Sequence, residues 1–213
     1  MCWSATADLV AGAGIAVVGV ASVGRVRERR DLPLAALPLL LGAHQIVESV
    51  VWHRGGGGGP ATYVWAVIAL PLLAVWVPFG VWCAAAPTAR RRLVLPLAVG
   101  VATAAVLAYG LADGPVTAEI HGRTVGYAFG LPNPAVLVVG YLMATVGSLL
   151  LSGDRRLWLL GALVGVGAPA CWALWRLEFV STWCALAAVC SMLLFDWART
   201  RPAASKSPGN LVT

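Results

Sequence analysis

Apolar residues fall along this chain in seven runs, at 8–24, 32–52, 61–86, 93–112, 135–152, 157–175 and 179–197, each closed by a short polar or charged stretch. A helix rises about 1.5 Å per residue, so about 20 apolar residues cross a hydrocarbon layer roughly 30 Å thick. The pattern predicts an all-α polytopic membrane protein, a seven-transmembrane-helix bundle over 1–198, with a polar, Pro/Ser-rich and disordered tail at 199–213. Pro38 lies inside the second run and should kink it; Pro71 and Pro78 should bend the third. The loop at 53–60 holds five consecutive glycines and reads as flexible, and 87–92 reads as a basic loop. Between runs four and five, 116–120 and 123–129 are rich in β-branched and aromatic residues around His121-Gly122. They predict a small extracytoplasmic β-hairpin lying over the mouth of the bundle.

Composition agrees with the pattern. The chain is 60% hydrophobic and 11% charged, where soluble domains carry about 25% charged residues. A net charge of +6 in a soluble protein would point to nucleic acid. Here the basic residues sit in short loops, so the expected partner is the lipid bilayer and no nucleic acid is expected. The loops after runs one, three and five, with the tail, hold 12 of the 15 Lys and Arg residues. The positive-inside rule then places the N-terminus outside and the C-terminus in the cytoplasm. Trp3, Trp52, Trp175 and Trp183 fall near the outer interface and Trp82, Trp158 and Trp197 near the inner one, as an aromatic belt would. Trp65, Trp76 and Trp172 sit deeper and read as packing.

Small residues recur at four-residue spacing: Gly100, Ala104 and Ala108; Gly140, Ala144 and Ser148; Gly161 and Gly165. Such faces let helix backbones approach closely, within one chain or in a homo-oligomer.

The second run carries the candidate chemistry. Its outer half reads Gly42-Ala43-His44-Gln45-Ile46-Val47-Glu48-Ser49. Residues four apart share a helix face, so His44 lies over Glu48 and Gln45 over Ser49, a single polar stripe. Ionisable residues inside a membrane are costly and mark functional sites. By depth, Cys2, Cys171 and Cys184 fall in the same outer band, whereas Cys83, Cys190 and Asp196 do not. Imidazole, carboxylate and thiolate together suit a transition metal such as zinc or copper, or haem iron, with Cys2, His44, Glu48 and Cys184 as candidate ligands. His44 could equally act as a general base, and the plainer alternative is an interhelical hydrogen bond that fixes packing. Removal of Met1 would leave the amine of Cys2 beside its thiol, a chelating or nucleophilic pair. Asp8 falls in the first turn of its helix, where the dipole favours a negative charge. His53, His121, Arg54, Glu119 and Glu178 read as solvated loop residues.

Met1-Cys2-Trp3-Ser4-Ala5, then Leu34-Ala35-Ala36-Leu37-Pro38-Leu39-Leu40-Leu41-Gly42 with Gln45, Glu48 and Trp52, resembles a family of uncharacterised bacterial multi-span proteins that begin Met-Cys-(Trp or Phe)-Ser. Ser181-Thr182-Trp183-Cys184 is similar to a Ser-x-Trp-Cys pattern in that family's last span. The resemblance implies a multi-pass protein of the bacterial inner membrane. Its members carry Gln where this chain has His44, which shifts weight toward Cys2, Glu48 and Cys184. The seven-span plan is also similar to membrane hydrolases of the alkaline-ceramidase type, which hold zinc on three histidines. That likeness is architectural, since no histidine follows His121 here.

Three readings stay open. The outer-half cluster of Cys2, His44, Gln45, Glu48, Ser49 and Cys184 forms a small-ligand or metal site, in a protein that is or is not a membrane-embedded enzyme. Alternatively the protein is a small transporter or sensor with Glu48 as its proton or cation site. The third reading is a structural or assembly protein without a ligand. The first predicts that Cys2, Glu48 and Cys184 line one outward-opening pocket roofed by the 116–129 hairpin.

Overall fold

The computed structural model describes residues 4–122, 124–131, 133–174 and 179–201; the side chains of 171–185 also lie outside the description. Cys2, Trp3, Trp175, Glu178 and the side chains of Cys171, Trp172, Ser181, Thr182, Trp183 and Cys184 therefore lie outside the described residues. Among the described residues the secondary structure is helical apart from one hairpin, and the helices follow the apolar runs.

Helix α1 (Ala5–Gly24) is capped by Ser4, whose hydroxyl accepts the Ala7 N–H at 3.2 Å. Its buried face is Asp8, Gly12, Ile15, Gly19 and Ser22, spaced three and four apart. A Cβ on Gly12 would lie 2.9 Å from the Gly42 carbonyl oxygen and from Gln45 Cβ, and one on Gly19 would meet Leu39 at 2.7 Å. As α1 descends from 12 to 19, its partner runs from 45 back to 39, so the two helices are antiparallel and in near backbone contact.

The second run does more than kink. A short 3₁₀ turn (Arg29–Asp31) leads into α2 (Leu32–Ala35), and α3 (Leu37–His53) starts afresh after Ala36. Pro38 in the first turn of α3 needs no N–H partner there. The Pro33 carbonyl beside the break accepts the Trp76 indole N–H at 2.9 Å.

The glycine run behaves unlike a flexible linker. Gly55, Gly56 and Gly57 adopt φ of 74°, 79° and 80°. Gly57 then pairs with Ala118, N to O at 2.7 Å and O to N at 3.2 Å. Successive left-handed residues are open to glycine at little cost, so the run encodes a fixed turn.

The third run is α4 (Pro60–Val67), a wide π turn (Ile68–Leu72) and α5 (Leu73–Ala84). Pro71 sits in the wide turn, where its ring and missing N–H are accommodated. The Tyr141 hydroxyl donates to the Ala69 carbonyl there at 2.9 Å. Helix α6 (Pro87–Asp113) starts earlier than the pattern predicts. Pro87 suits a first turn, so Arg90, Arg91 and Arg92 stand on helix rather than in a loop. Arg90 folds back to donate to the Cys83 carbonyl at 3.2 Å and lies 5.2 Å over the Trp82 ring.

Strands β1 (Val116–His121) and β2 (Thr124–Phe129) form the antiparallel hairpin. His121 pairs with Thr124, so the turn begins at Gly122 (φ 61°), one residue later than the sequence pattern places it. Helices α7 (Pro134–Leu150), α8 (Arg155–Leu174) and α9 (Phe179–Thr200) follow. Helix α9 continues past Trp197, the expected end of the last run.

Among the described residues, four continuous helical stretches are long and apolar enough to cross a membrane: Ala5–Gly24, Arg29–His53, Pro60–Ala84 and Pro87–Asp113. Their outward faces are apolar too. Val17, Val20, Leu95, Tyr109, Val136 and Val166 are each more than 60% exposed, a surface that hydrocarbon tolerates and water does not. The small-residue faces pack within the chain. A Cβ on Gly100 would strike the Ala74 carbonyl of α5, and one on Gly140 would strike Thr103 of α6. A Cβ on Gly161 would meet Leu149 at 2.8 Å.

The main apolar core, which includes Leu34, Val81, Leu93, Leu157, Leu194 and Trp197, lies at the basic end of the bundle. Trp197 is thus core rather than belt, 1% exposed, and its indole N–H donates to Asp154 Oδ2 at 3.1 Å. Arg201 staples this end: it donates to Asp31 Oδ1 at 3.3 Å and to the Ala84 carbonyl, lies 3.8 Å from Asp154, and stacks 4.8 Å over Trp197. Two smaller clusters, Trp65 with Ala66, Leu111 and Val116, and Val51 with Ala118 and Val125, seat the hairpin at the opposite end.

Candidate functional site

The polar residues of α3 are buried, and they divide between two faces. Each helical residue turns about 100°, so His44 and Gln45 point to different neighbours. Gln45, 2% exposed, lies on the α1 side, with its Cβ against Gly12. His44, 9% exposed, lies on the α4 side, its ring 4.9 Å from that of Trp65 and tilted by 38°. Ser49 is buried as well, but its hydroxyl donates to the Ile46 carbonyl at 2.7 Å and so serves its own helix.

Glu48, one turn beyond His44, has no exposure. The Tyr127 hydroxyl, from β2, donates to Glu48 Oε1 at 3.4 Å. The Tyr127 ring stacks on Trp65 at 3.5 Å with planes 5° apart, and Phe129 lies parallel to both at 6.3 and 6.5 Å. The four groups close a ring: His44 against Trp65, Trp65 against Tyr127, Tyr127 to Glu48, and Glu48 back to His44 along one helical turn. His44 Nε2 is buried and has no hydrogen-bond partner among the described residues. A buried, unpaired ring nitrogen costs about 1–3 kcal/mol, which a bound polar species would offset.

Asp8 belongs to the same level of the bundle and escaped the reading of the sequence, which left it to the helix dipole. It is fully buried. It stands one turn before Gly12 on the face that meets α3, and in an antiparallel pair this brings it level with Glu48 and Ser49. Trp65 and Tyr127 were missed as well. The signals were present: Asp8 keeps the four-residue spacing of Gly12, and Val125, Tyr127 and Phe129 alternate along β2 as one inward face.

Other candidates fall elsewhere. Cys190 is buried in the core of the basic end, and Cys83 is half-buried near the Arg90 contact. His121 and Glu119 form an exposed pair at 3.6 Å on β1. Among the described residues, no group of three His, Cys, Asp or Glu side chains is arranged to hold a metal ion. His44 and Glu48 supply two donors, and the Cys2 and Cys184 thiols lie outside the described residues. The described groups can hold a small polar species or pass a proton between phenol and carboxylate.

A profile of a family of unknown function (DUF6629) matches residues 1–209. No curated protein and no solved structure matches the chain.

Proposed function

The chain belongs to this family of unknown function, and from its own residues we propose that it is a seven-span membrane protein that binds a small polar ligand between α3, α4 and the hairpin. Spans α1, α2–α3, α4–α5, α6, α7, α8 and α9 cross the bilayer, with the N-terminus outside. The charge asymmetry of the loops and the apolar outer faces support this plan. The resemblance noted in the sequence supports the bacterial inner membrane as its location. A cysteine-accessibility map that places Arg90 to Arg92 outside the cell would overturn the topology.

One observation carries the ligand reading: His44 is nine-tenths buried with an unpaired ring nitrogen, one turn from a fully buried Glu48. A second reading, a proton or cation site at Glu48 in a transporter or sensor, draws support from the Tyr127 hydroxyl on that carboxylate. Elemental analysis and an absorption spectrum of the purified protein separate them. Stoichiometric metal or haem that is lost in His44→Phe and Glu48→Gln supports a metal-dependent ligand site involving Cys2 or Cys184. A metal-free protein whose Glu48→Gln variant alone loses proton uptake in liposomes supports the second reading. A metal-free protein with neither activity, and with His44→Phe more stable than wild type, would leave His44 as packing.

A further inference from the structure

At the end of the molecule away from His44, a cavity of about 360 Å³ is lined by Asp154, Arg155, Arg156, Trp197, Thr200 and Arg201. Among the described residues, three guanidinium groups and one carboxylate, that of Asp154, line it. That carboxylate is already engaged. Its Oδ1 accepts the Arg156 backbone N–H at 2.9 Å, and its Oδ2 accepts the Trp197 indole N–H at 3.1 Å beside Arg201. Arg156 is engaged too, by Asp196 at 2.9 Å. Arg155 remains: it is exposed and has no ion pair or hydrogen bond among the described residues. Arg92 adds charge from α6: a Cβ on Gly153, in the turn before α8, would lie 2.5 Å from its guanidinium.

The surface around this cavity is apolar. Leu150 and Leu151 at the end of α7, and Trp158 and Leu159 in the first turns of α8, are 38%, 41%, 49% and 46% exposed. In a bilayer these side chains face hydrocarbon, so the guanidinium groups stand directly beside acyl chains. A molecule with a phosphate at one end and hydrocarbon at the other uses both.

We propose that this cavity seats the phosphate of an anionic phospholipid. Arg155 closes on the phosphate oxygens in the cavity that Arg156 and Arg201 help to line, and the acyl chains run along Leu151, Trp158 and Leu159. Arginine suits the role because its planar fork matches two phosphate oxygens at once. Basic pockets between helices near a membrane face take anionic headgroups for the same reason. The inference rests on the chain spanning a bilayer and is independent of the His44 site.

The test uses the full chain reconstituted in nanodiscs of phosphatidylcholine alone and of equal phosphatidylcholine and phosphatidylglycerol, with retained lipid read by native mass spectrometry. The expected result is preferential retention of phosphatidylglycerol, reduced at least about tenfold in Arg155→Ala, the loss of a charge-assisted contact to phosphate. Arg91→Ala removes the same charge from an exposed site outside the cavity and should lower the preference only by its share of surface charge, about fivefold or less. Arg155 makes no contact that folding needs, so its variant should melt like wild type. Equal retention of the two lipids by wild type, or equal losses in the two variants, would overturn the site. Arg155-dependent thermal stabilisation by inorganic phosphate in phosphatidylcholine discs, without any lipid preference, would overturn the lipid as its source. Failure to recover protein in phosphatidylcholine discs would instead overturn the membrane reading itself.

Discussion

Tyr127 does two separable jobs. Its hydroxyl holds Glu48, and its ring holds Trp65 against His44. Tyr127→Phe keeps the ring and should cost about 1 kcal/mol of stability, the net worth of one hydrogen bond. Tyr127→Ala loses the stack as well and should cost about 3 kcal/mol. Thermal unfolding in detergent checks the pair, and equal losses would mean that the ring contributes nothing. At this scale the sequence was half legible. His44 and Glu48 stand out because ionisable residues in an apolar run are conspicuous. Asp8 does not, because a carboxylate in a first helical turn has an ordinary explanation, and its burial depends on tertiary packing of α1. Tyr127 is hidden by sequence distance, since it lies 79 residues from the carboxylate it bonds.

At the scale of elements, the existence of each helix follows from apolar length, while its ends and breaks do not. What the pattern missed were places where tertiary contact overrides local preference. The glycine run looks like a linker until Ala118 supplies its pairing partner. The break at Ala36 and the wide turn at Pro71 are stable because Trp76 and Tyr141 donate to nearby carbonyls. The glycines therefore differ in importance. A Cβ on Gly56 would lie 2.6 Å from the Ala118 carbonyl oxygen at φ +79°, whereas one on Gly59 meets nothing within 4 Å in extended backbone. Gly56→Ala should destabilise the hairpin by about 2 kcal/mol, and Gly59→Ala by less than about 0.5 kcal/mol. Hydrogen exchange of the 116–129 amides should quicken in the first variant alone; matching protection in both would contradict a fixed turn.

Over the whole molecule, the lateral neighbours of a helix were not legible in the sequence. The two ends of the bundle are organised differently as a result: an aromatic hairpin seats on one, and a guanidinium staple closes the other. Arg201→Ala would leave Asp31, 6% exposed at its side chain, without the partner that bonds it. Removing one member of a buried pair costs about 3 kcal/mol. Arg201→Lys should recover part of this, because an ammonium reaches one carboxylate but cannot span Asp31, Asp154 and the Ala84 carbonyl together. Unfolding midpoints in the order wild type, Lys, Ala are the expected outcome, and an Ala variant as stable as wild type would show that the staple carries no weight.

The staple also sets an order of events during synthesis. Asp31 and Arg201 are 170 residues apart, and at about 5–20 residues per second the ribosome needs roughly 10–30 s to travel between them. Until then Asp31, joined by Asp154 once that residue has been made, faces a gap that Arg201 and Trp197 later fill. A chain halted before α9 thus displays two uncovered carboxylates beside bare core, and a completed one hides them. Arg201 in this way makes a chain that has passed α9 chemically distinguishable, at that one end, from any that stops between Asp154 and Arg201.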